Sequence, residues 1–252
     1  MIKIVLVGCS GRMGNAISSL VKTKNEFSIS AGVDKNKNEN VDYPIYSEIF
    51  DIKEDFDAVL DFSRPASLDS LLKFCKDNKK PLVLCTTGYD EGQLKAIEVA
   101  SLDIPLFKSA NMSIGINIIS SVLKNISSFL YEDFDIEIIE KHHNQKVDSP
   151  SGTAILLADS IKNSLDTPVD YVYGREGIKK RDKAEIGIHA VRGGNIVGEH
   201  SVIFAGGYET IEIKHSAMSR EVFALGSLKA CEFMKDKENG FYSMDDVIKL
   251  NK

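Results

Sequence analysis

The sequence predicts an α/β protein with two domains: a domain built on a parallel sheet, and an α+β domain that contains a mixed sheet. Up to about residue 112, short apolar runs alternate with helical patterns, as they do in βαβ units. From residue 113 onward, a long apolar helix precedes strands that alternate apolar and polar residues. Gly193-Gly194 and Gly206-Gly207 separate these strands and are typical of turns.

The first domain is predicted from five strands and the helices between them. The helix at 66–79 carries Leu68, Leu71, Leu72 and Cys75 at the spacing of one helical face. The predicted strands are 2–7, 28–33, 57–62, 81–85 and 104–108. The predicted helices are 12–24, 47–53, 66–79 and 90–101.

The second domain is expected to be a sheet faced by helices. Its predicted strands are 134–140, 185–192, 196–204 and 209–215, and its predicted helices are 113–130 and 153–165. A last helix, 219–235, is expected to return to the first domain, as terminal segments often do. The predicted domains are therefore 1–112 plus 220–252, and 113–219.

Composition narrows the class of protein. The 252 residues carry a formal net charge of −6, which argues against a protein that binds the phosphate backbone of nucleic acids. No apolar run approaches the length of a membrane span or of a signal-peptide core, so we expect a cytoplasmic protein. The four cysteines are scattered without a C-x-x-C pair, which predicts reduced thiols and no zinc site.

A glycine turn follows the first predicted strand and opens the first helix. Gly8, Gly11 and Gly14 would permit a tight turn and a close approach of the backbone to a pyrophosphate at the helix N-terminus. Asp34 ends the second strand about twenty residues later, where a carboxylate would bind an adenosine ribose. Lys35 beside it favours a 2′-phosphate, so we infer that NAD and NADP both bind. The alternative is a tight turn without a ligand.

Two further turns are expected at the same edge of the sheet. Asp61-Phe62-Ser63-Arg64-Pro65 and Cys85-Thr86-Thr87-Gly88 each follow a predicted strand. Ligands of open α/β sheets bind outside the carboxyl ends of the strands. The shared position of these turns indicates contact with the nicotinamide half of a dinucleotide, although either could be a plain loop.

The densest polar cluster runs from Glu140 to Ala154 and holds two adjacent histidines. His142 and Lys146 could move protons, while His143 and Lys146 could neutralise an anionic substrate. The Pro-Ser-Gly-Thr run at 150–153 predicts a helix start, whose backbone N–H groups and hydroxyls suit a carboxylate. The alternatives are a solvated loop and zinc ligation. Zinc is disfavoured because no third ligand has suitable spacing.

These motifs together resemble the 4-hydroxy-tetrahydrodipicolinate (dihydrodipicolinate) reductase family. The likeness covers nearly the whole chain, and its most specific part is the basic His-His segment joined to Pro-Ser-Gly-Thr. Cys85 and Ser149 depart from the family pattern, which usually has Gly and Ala at these positions. The residues that carry the likeness are Gly8-Cys9-Ser10-Gly11-Arg12-Met13-Gly14, Asp61-Phe62-Ser63-Arg64-Pro65, Thr86-Thr87-Gly88, Ser109-Ala110-Asn111-Met112-Ser113, 142–154, 172–177, 192–200 and Ser219-Arg220.

The resemblance implies a role for each matched residue. His142 would be the proton donor or acceptor, and Lys146 a proton donor. The substrate contacts would be His143, Ser151, Gly152 and Thr153. The coenzyme contacts would be Gly8, Cys9, Ser10, Gly11, Arg12, Met13, Asp34, Lys35, Cys85, Thr86, Thr87, Ser109, Ala110, Asn111 and Met112.

The resemblance also implies the reaction and the assembly. The family reduces (2S,4S)-4-hydroxy-2,3,4,5-tetrahydrodipicolinate to (S)-2,3,4,5-tetrahydrodipicolinate with loss of water, using NADH or NADPH, in the diaminopimelate pathway to L-lysine. It implies a small dicarboxylate substrate and a homotetramer built through the substrate-domain sheets. The charge, the apolar runs and the ligand spacing described above lead us to expect no nucleic acid, membrane or metal partner.

Two alternatives remain at this point. Another dehydrogenase of similar architecture, acting on sugars or semialdehydes, would have no evident use for the paired histidines and the Ser-Gly-Thr helix start. A protein that senses dinucleotides without catalysis would not need both His142 and Lys146.

Overall fold

A computed structural model describes residues 1–36 and 41–248 of the chain. The chain forms two compact units. Unit 1 consists of Met1–Ser113 and Arg220–Asn251, and unit 2 consists of Ile114–Ser219. The C-terminal residues 249–252 of the predicted first domain lie outside the described residues.

The strands and helices alternate in the first half of the chain, whereas strands predominate in the second half. In chain order, the strands are β1 (Ile2–Val7), β2 (Phe27–Val33), β3 (Ile45–Tyr46), β4 (Ala58–Asp61), β5 (Leu82–Leu84), β6 (Pro105–Lys108), β7 (Phe134–His142), β8 (Asp170–Tyr173), β9 (Glu185–Arg192), β10 (Gly198–Gly206), β11 (Thr210–Ala217) and β12 (Gly240–Tyr242). The helices are α1 (Arg12–Val21), α2 (Leu68–Asn78), α3 (Glu91–Ala100), α4 (Ile114–Leu130), α5 (Gly152–Lys162), α6 (Glu221–Met234) and α7 (Met244–Val247).

Unit 1 is built on a seven-stranded sheet in the order β12-β6-β5-β4-β1-β2-β3. Every strand pair in it is parallel. The interior strand β1 is apolar and buried at residues 4–7, because both faces of a parallel sheet are covered. The carboxyl ends of β1, β2, β4, β5 and β6 therefore lie at one edge, and the turns that follow them meet there.

Helices cover this sheet and close its core. Val5, Val59 and Leu82 pack in one cluster with buried residues of α2 and α3. Helix α6 contacts α1 and the strands β4, β5 and β6, so the C-terminal segment completes unit 1. The predicted helical face of α2 is confirmed, since Leu68, Leu71, Leu72 and Cys75 are buried.

Unit 2 is built on a five-stranded sheet in the order β11-β10-β7-β9-β8. Strand β10 runs antiparallel to β7 and β11, whereas β9 runs parallel to β7 and β8. Helices α4 and α5 pack on one face, where Ile136, Ile138 and Phe204 are fully buried or nearly so. The predicted fold class, a parallel sheet followed by a mixed sheet, is confirmed.

The predicted helix at 47–53 is wrong. Only Ile49–Asp51 form a single 3₁₀ turn, and Ile52 has already returned to extended backbone. A segment this short gains few internal hydrogen bonds, so the packing of Ile49 in the core decides its conformation. The short strands β3, β8 and β12 were not predicted. Each lies at the edge of its sheet and has two to four residues, too few for a periodic pattern.

Among the described residues, no helix is both long enough and apolar enough to cross a membrane.

Candidate active site

The glycine turn after β1 is held closely against the neighbouring strand. Gly8 has φ +79°, and a Cβ atom on it would lie 2.6 Å from the carbonyl oxygen of Phe62. On Gly14, a Cβ would collide with the carbonyls of Gly8 and Cys9. Gly11 caps α1 without a side-chain hydrogen bond, and the first turn contains no acidic residue. The N-terminus of α1 therefore presents backbone N–H groups free of side-chain caps, as binding of a pyrophosphate requires.

A cleft of about 640 Å³ opens beside this turn in unit 1. Asp34 lies in its wall at the end of β2, where one carboxylate oxygen accepts a hydrogen bond from Ser10 N at 3.1 Å. The other oxygen accepts from Asn36 N at 3.0 Å. Lys35 and Arg64 also line the cleft, so one acid and two cations are available to an adenosine ribose or its phosphate. These charged side chains, together with the glycine turn after β1, fit a nicotinamide dinucleotide.

The other predicted coenzyme residues follow β1, β5 and β6. The side chain of Cys9 is fully buried, which leaves only its backbone at the turn. Thr86 is buried and Thr87 is exposed after β5. After β6, Ala110 is exposed and Met112 is buried. Like the glycine turn, these segments lie at the carboxyl edge of the sheet in unit 1.

Asp61 ends β4 as a fully buried carboxyl group. Its Oδ1 accepts hydrogen bonds from the backbone N–H and the hydroxyl of Ser63, and Tyr89 donates to Oδ2 at 3.4 Å. Burial raises the pKa of Asp61 despite these hydrogen bonds. The role of Asp61 is to hold the turn 62–65 in place at the edge of the cleft.

In unit 2, the predicted acid His142 is the last residue of β7. Side chains alternate along this strand, so His142 shares the helix-covered face with Ile136, Ile138 and Glu140. The carbonyl of His142 accepts from Gly193 N at 2.9 Å, and Asn144 N donates to the carbonyl of Gly194 at 3.2 Å. The loop that carries the predicted site residues is thus anchored on the turn between β9 and β10.

The other predicted proton donor lies in this loop. Lys146 Nζ donates to Asp148 Oδ1 at 2.7 Å, and the lysine side chain is 21% exposed. This hydrogen bond holds the pKa of Asp148 below its ordinary value. His143 is half-buried at the start of the same loop.

The loop ends at the N-terminus of α5. Ser151 is the N-cap, and its hydroxyl accepts from Ala154 N at 3.1 Å. Gly152 is exposed and Thr153 is half-buried in the first turn. The structure therefore brings His142, His143, Lys146 and this helix start together in unit 2.

Two charged residues near His142 were not assigned a role from the sequence. Glu140 is fully buried and accepts hydrogen bonds from His142 and from Arg192 on β9. A carboxylate at an inward position of an alternating strand indicates a buried pair, since a lone buried charge is costly. That signal was available in the sequence, but Arg192 lies 52 residues away and only the sheet register brings it close.

His200 on β10 is a third residue without an assigned role. Its ring lies 5.2 Å from that of His142 in an edge-to-face arrangement. Its Nε2 is 3.0 Å from the hydroxyl of Ser151. Burial, followed by the proximity of His142, lowers the pKa of His200 to about 4. The hydrogen bond between neutral His200 and the Ser151 hydroxyl therefore fixes the cap of α5.

No group of three or more His, Cys, Asp or Glu side chains is placed to hold a metal ion within residues 1–36 and 41–248.

Comparison with known proteins covers both units. A family model described as the N-terminus of dihydrodipicolinate reductase matches residues 2–112, and one described as its C-terminus matches residues 115–248. A protein of Clostridium tetani named 4-hydroxy-tetrahydrodipicolinate reductase is 61% identical over 98% of this chain and 97% of its own length. One of Clostridium novyi with the same name is also 61% identical, over 99% of each chain.

A solved structure shares the fold. Dihydrodipicolinate reductase from Paenisporosarcina sp. TG-14, with dipicolinate bound, superposes with a TM-score of 0.79 at 23% identity, covering 96% of this chain and 97% of that one. The identity with the clostridial proteins extends over the whole chain, and the two family models together span both units. The chain therefore belongs to the dihydrodipicolinate reductase family.

Proposed function

We propose that unit 2 binds a small cyclic dicarboxylate, that His142 and Lys146 donate the proton to it, and that unit 1 binds the coenzyme. As a member of its family, the chain catalyses the NAD(P)H-dependent reduction of (2S,4S)-4-hydroxy-2,3,4,5-tetrahydrodipicolinate to (S)-2,3,4,5-tetrahydrodipicolinate with loss of water. This is a step of L-lysine biosynthesis through diaminopimelate. The observation that carries the residue assignment is the grouping of two imidazoles, an ammonium and a helix N-terminus within one loop of unit 2.

The coenzyme site in unit 1 uses backbone at one end and charged side chains at the other. Residues 8–13 hold the pyrophosphate, Asp34 the adenosine ribose, and residues 85–87 and 109–112 the remainder. Lys35 and Arg64 line the same cleft as Asp34, which supports binding of both NADH and NADPH. When bound, the coenzyme supplies the hydride.

The substrate carboxylates are held by positive charge and by backbone N–H groups. Gly152 and Thr153 lie in the first turn of α5, where the helix dipole favours an anion. Ser151 fixes this turn through its bond to Ala154 N. Lys146 adds an ammonium group, and His143 an imidazole, in the loop that leads to the helix. Two carboxylates on a small ring therefore find separate partners.

The proton is supplied by His142 and Lys146. Reduction of a conjugated cyclic imine leaves an enamine-like carbanion on the substrate, which needs a proton from a nearby acid. His142 is held at the end of β7, whereas Lys146 is held in the loop by Asp148. An anionic substrate would compete with Asp148 for the Lys146 ammonium and draw it into the site.

The assembly is a cytoplasmic homotetramer formed through the sheets of unit 2. Helices α4 and α5 cover one face of the five-stranded sheet, and within residues 114–219 no helix covers the other. That uncovered face carries Ile139 and Ile203 between charged neighbours, a mixture suited to a self-complementary contact.

The proposed activity is tested by generating the substrate in situ in the assay. Pyruvate and aspartate semialdehyde are combined with the preceding synthase, and NADH and NADPH absorbance is followed after this protein is added. We expect coenzyme oxidation that depends on the synthase and on both precursors. No turnover with either coenzyme, from protein shown to be folded, would contradict the proposal.

A further inference from the structure

Glu140 is a carboxylate in the interior of unit 2 with an unusually full set of partners. It is 0% exposed. Its Oε2 lies 2.7 Å from Nδ1 of His142, and its Oε1 accepts from Ser151 N at 2.9 Å. Arg192 donates to both oxygens, each at 2.7 Å, in a bidentate pair. One side chain thus contacts the proposed acid, the start of α5 and a cation on the neighbouring strand.

These contacts decide the charge of Glu140. Burial alone favours the protonated form, but hydrogen bonds from Arg192, His142 and the Ser151 N–H together hold the pKa of Glu140 below its ordinary value. Glu140 is therefore ionised at neutral pH. An ionised carboxylate can only accept hydrogen bonds, so the hydrogen in the contact with His142 belongs to Nδ1.

The position of that hydrogen fixes the chemistry of the imidazole. With Nδ1 committed to Glu140, Nε2 is the atom of His142 that gains and loses a proton. Nε2 faces the backbone at Gly198, where an added Cβ would lie 3.1 Å from it. Since Gly198 has no side chain, no Cβ atom crowds Nε2 on this flank.

We propose that Glu140, clamped by Arg192, is a positioning residue that fixes the tautomer of His142 and joins it to the carboxylate-binding start of α5. The inference rests on the proposed function, in which His142 supplies a proton. It assigns to Glu140 the task of keeping Nε2 as the exchanging atom and of stabilising the imidazolium by its negative charge.

Arg192 makes the arrangement rigid. Besides its two bonds to Glu140, its NH2 group donates to the carbonyl of Asp148 at 2.7 Å. Asp148 in turn accepts from Lys146. The guanidinium of Arg192 therefore binds both Glu140, which contacts His142, and Asp148, which holds Lys146.

The other titratable groups around His142 come from four segments. His200 faces it from β10 and is neutral at physiological pH because burial depresses its pKa to about 4. Arg192 faces the pair from β9, while Lys146 and Asp148 lie in the following loop. His215 on β11 pairs with His200 across the sheet. Of these groups, Glu140 is the carboxylate hydrogen-bonded to the imidazole.

A purely structural role for Glu140 would have different consequences. If the carboxylate only tied β7 to β9 and α5, its loss would lower stability or substrate affinity and leave the protonation of His142 unchanged. The deciding variant is Glu140→Gln, which keeps the size of the side chain and an acceptor for Ser151 N but removes the charge.

The first measurement is ¹⁵N NMR of the histidine side chains across pH, which needs no activity. In the wild-type chain we expect neutral His142 to carry its hydrogen on Nδ1. In Glu140→Gln we expect a mixture of the two tautomers, and half-protonation at a pH about one unit lower. An Nε2-protonated tautomer in the wild type, or an unchanged titration in the variant, would overturn the inference.

The second measurement is the pH profile of turnover. Glu140→Gln is expected to lower kcat by about 10- to 100-fold and to move the alkaline limb of the kcat profile about one unit toward lower pH, with the KM for coenzyme within about twofold. If the wild type turns over and this limb does not move in the variant, the inference fails while the proposed function stands.

A matched control lies on the same strand. Glu137 also contacts a histidine, His189, at 2.7 Å and is also bound by arginines, Arg175 and Arg181. It points to the opposite face of β7 from Glu140. Glu137→Gln removes an equivalent ion-pair cluster and is expected to leave the His142 titration and the alkaline limb in place.

A double variant covers the case in which Glu140→Gln does not fold because Arg192 is left unpaired. Glu140→Gln with Arg192→Gln removes both charges, which is less costly than leaving one buried charge alone. The same tautomer mixture is expected in it, whereas the titration shift should be smaller, because loss of the Arg192 cation offsets loss of the carboxylate. A single Nδ1-protonated tautomer in the folded double variant would overturn the inference.

Discussion

At the scale of single residues, His200 shows how burial sets a charge state. The ring is 5% exposed, and its Nε2 lies 3.0 Å from the hydroxyl of Ser151. Burial lowers its pKa from 6.5 to about 4. The unfolded chain therefore binds a proton at this residue at a higher pH than the folded chain does.

This difference predicts a pH-dependent contribution to stability. Because the unfolded state binds the extra proton, stability decreases as the pH falls below 6.5, and the loss is complete below about 4. Urea denaturation compares the wild type with His200→Gln. Between pH 7.5 and pH 4.5, we expect the free energy of unfolding of the wild type to fall by about 2–3 kcal/mol more than that of the variant. A difference that is equal at both pH values would contradict the neutral, buried state of His200.

At the scale of elements, the turn from β1 into α1 shows why glycine is required. Gly8 and Gly88 have nearly the same backbone conformation, with φ +79° and +82°. A Cβ on Gly8 would lie 2.6 Å from the Phe62 carbonyl, whereas nothing lies within 4 Å of a Cβ on Gly88. Gly8 is therefore constrained by both its conformation and its packing, and Gly88 by its conformation alone.

The pair gives a matched test. Gly8→Ala is expected to lower the free energy of unfolding by about 3 kcal/mol, from strain together with overpacking, and to weaken coenzyme binding because the turn must move. Gly88→Ala is expected to cost about 1 kcal/mol. Urea denaturation and coenzyme titration measure both effects. Equal losses of stability in the two variants would show that the contact with Phe62 does not constrain the turn.

Elements with a periodic pattern were predictable from the sequence, whereas short edge elements were not. The strand 185–192 has the predicted bounds, and α2 buries the predicted face. Strand β3 has only two residues, and its place at the edge of the sheet is decided by pairing with β2. The helix predicted at 47–53 reduces to one turn, because so short a segment gains few helical hydrogen bonds and Ile52 is already in extended backbone.

The site was predictable only where its residues are close in sequence. His142, Lys146 and Ser151 fall within ten positions of one another, so one motif contains them. The ion pair between Arg192 and Glu140 depends on the parallel register of β7 and β9, in which His142 lies beside Arg192. Local sequence patterns do not contain that register.

At the scale of the whole molecule, an acidic protein carries a locally basic site. The formal net charge is −6, yet the loop after β7 gathers His142, His143 and Lys146 next to a helix N-terminus. Such a local field attracts a dicarboxylate although the protein as a whole is negative. In the proposed function, unit 1 and unit 2 have separate tasks: the first holds the coenzyme, and the second holds and protonates the substrate.

In the proposed function, His142 and Lys146 supply protons and do not bind coenzyme. The most direct test compares kcat and the coenzyme dissociation constant for His142→Ala and Lys146→Ala with those of the wild type. Gln145→Ala is the control, since Gln145 is exposed in the same loop and bonds only its neighbour Asn144 among the contacts described for its side chain. We predict that kcat falls by about 10²- to 10⁴-fold in the two site variants while coenzyme affinity stays within about twofold. Unchanged turnover in either variant would contradict the role assigned to that residue.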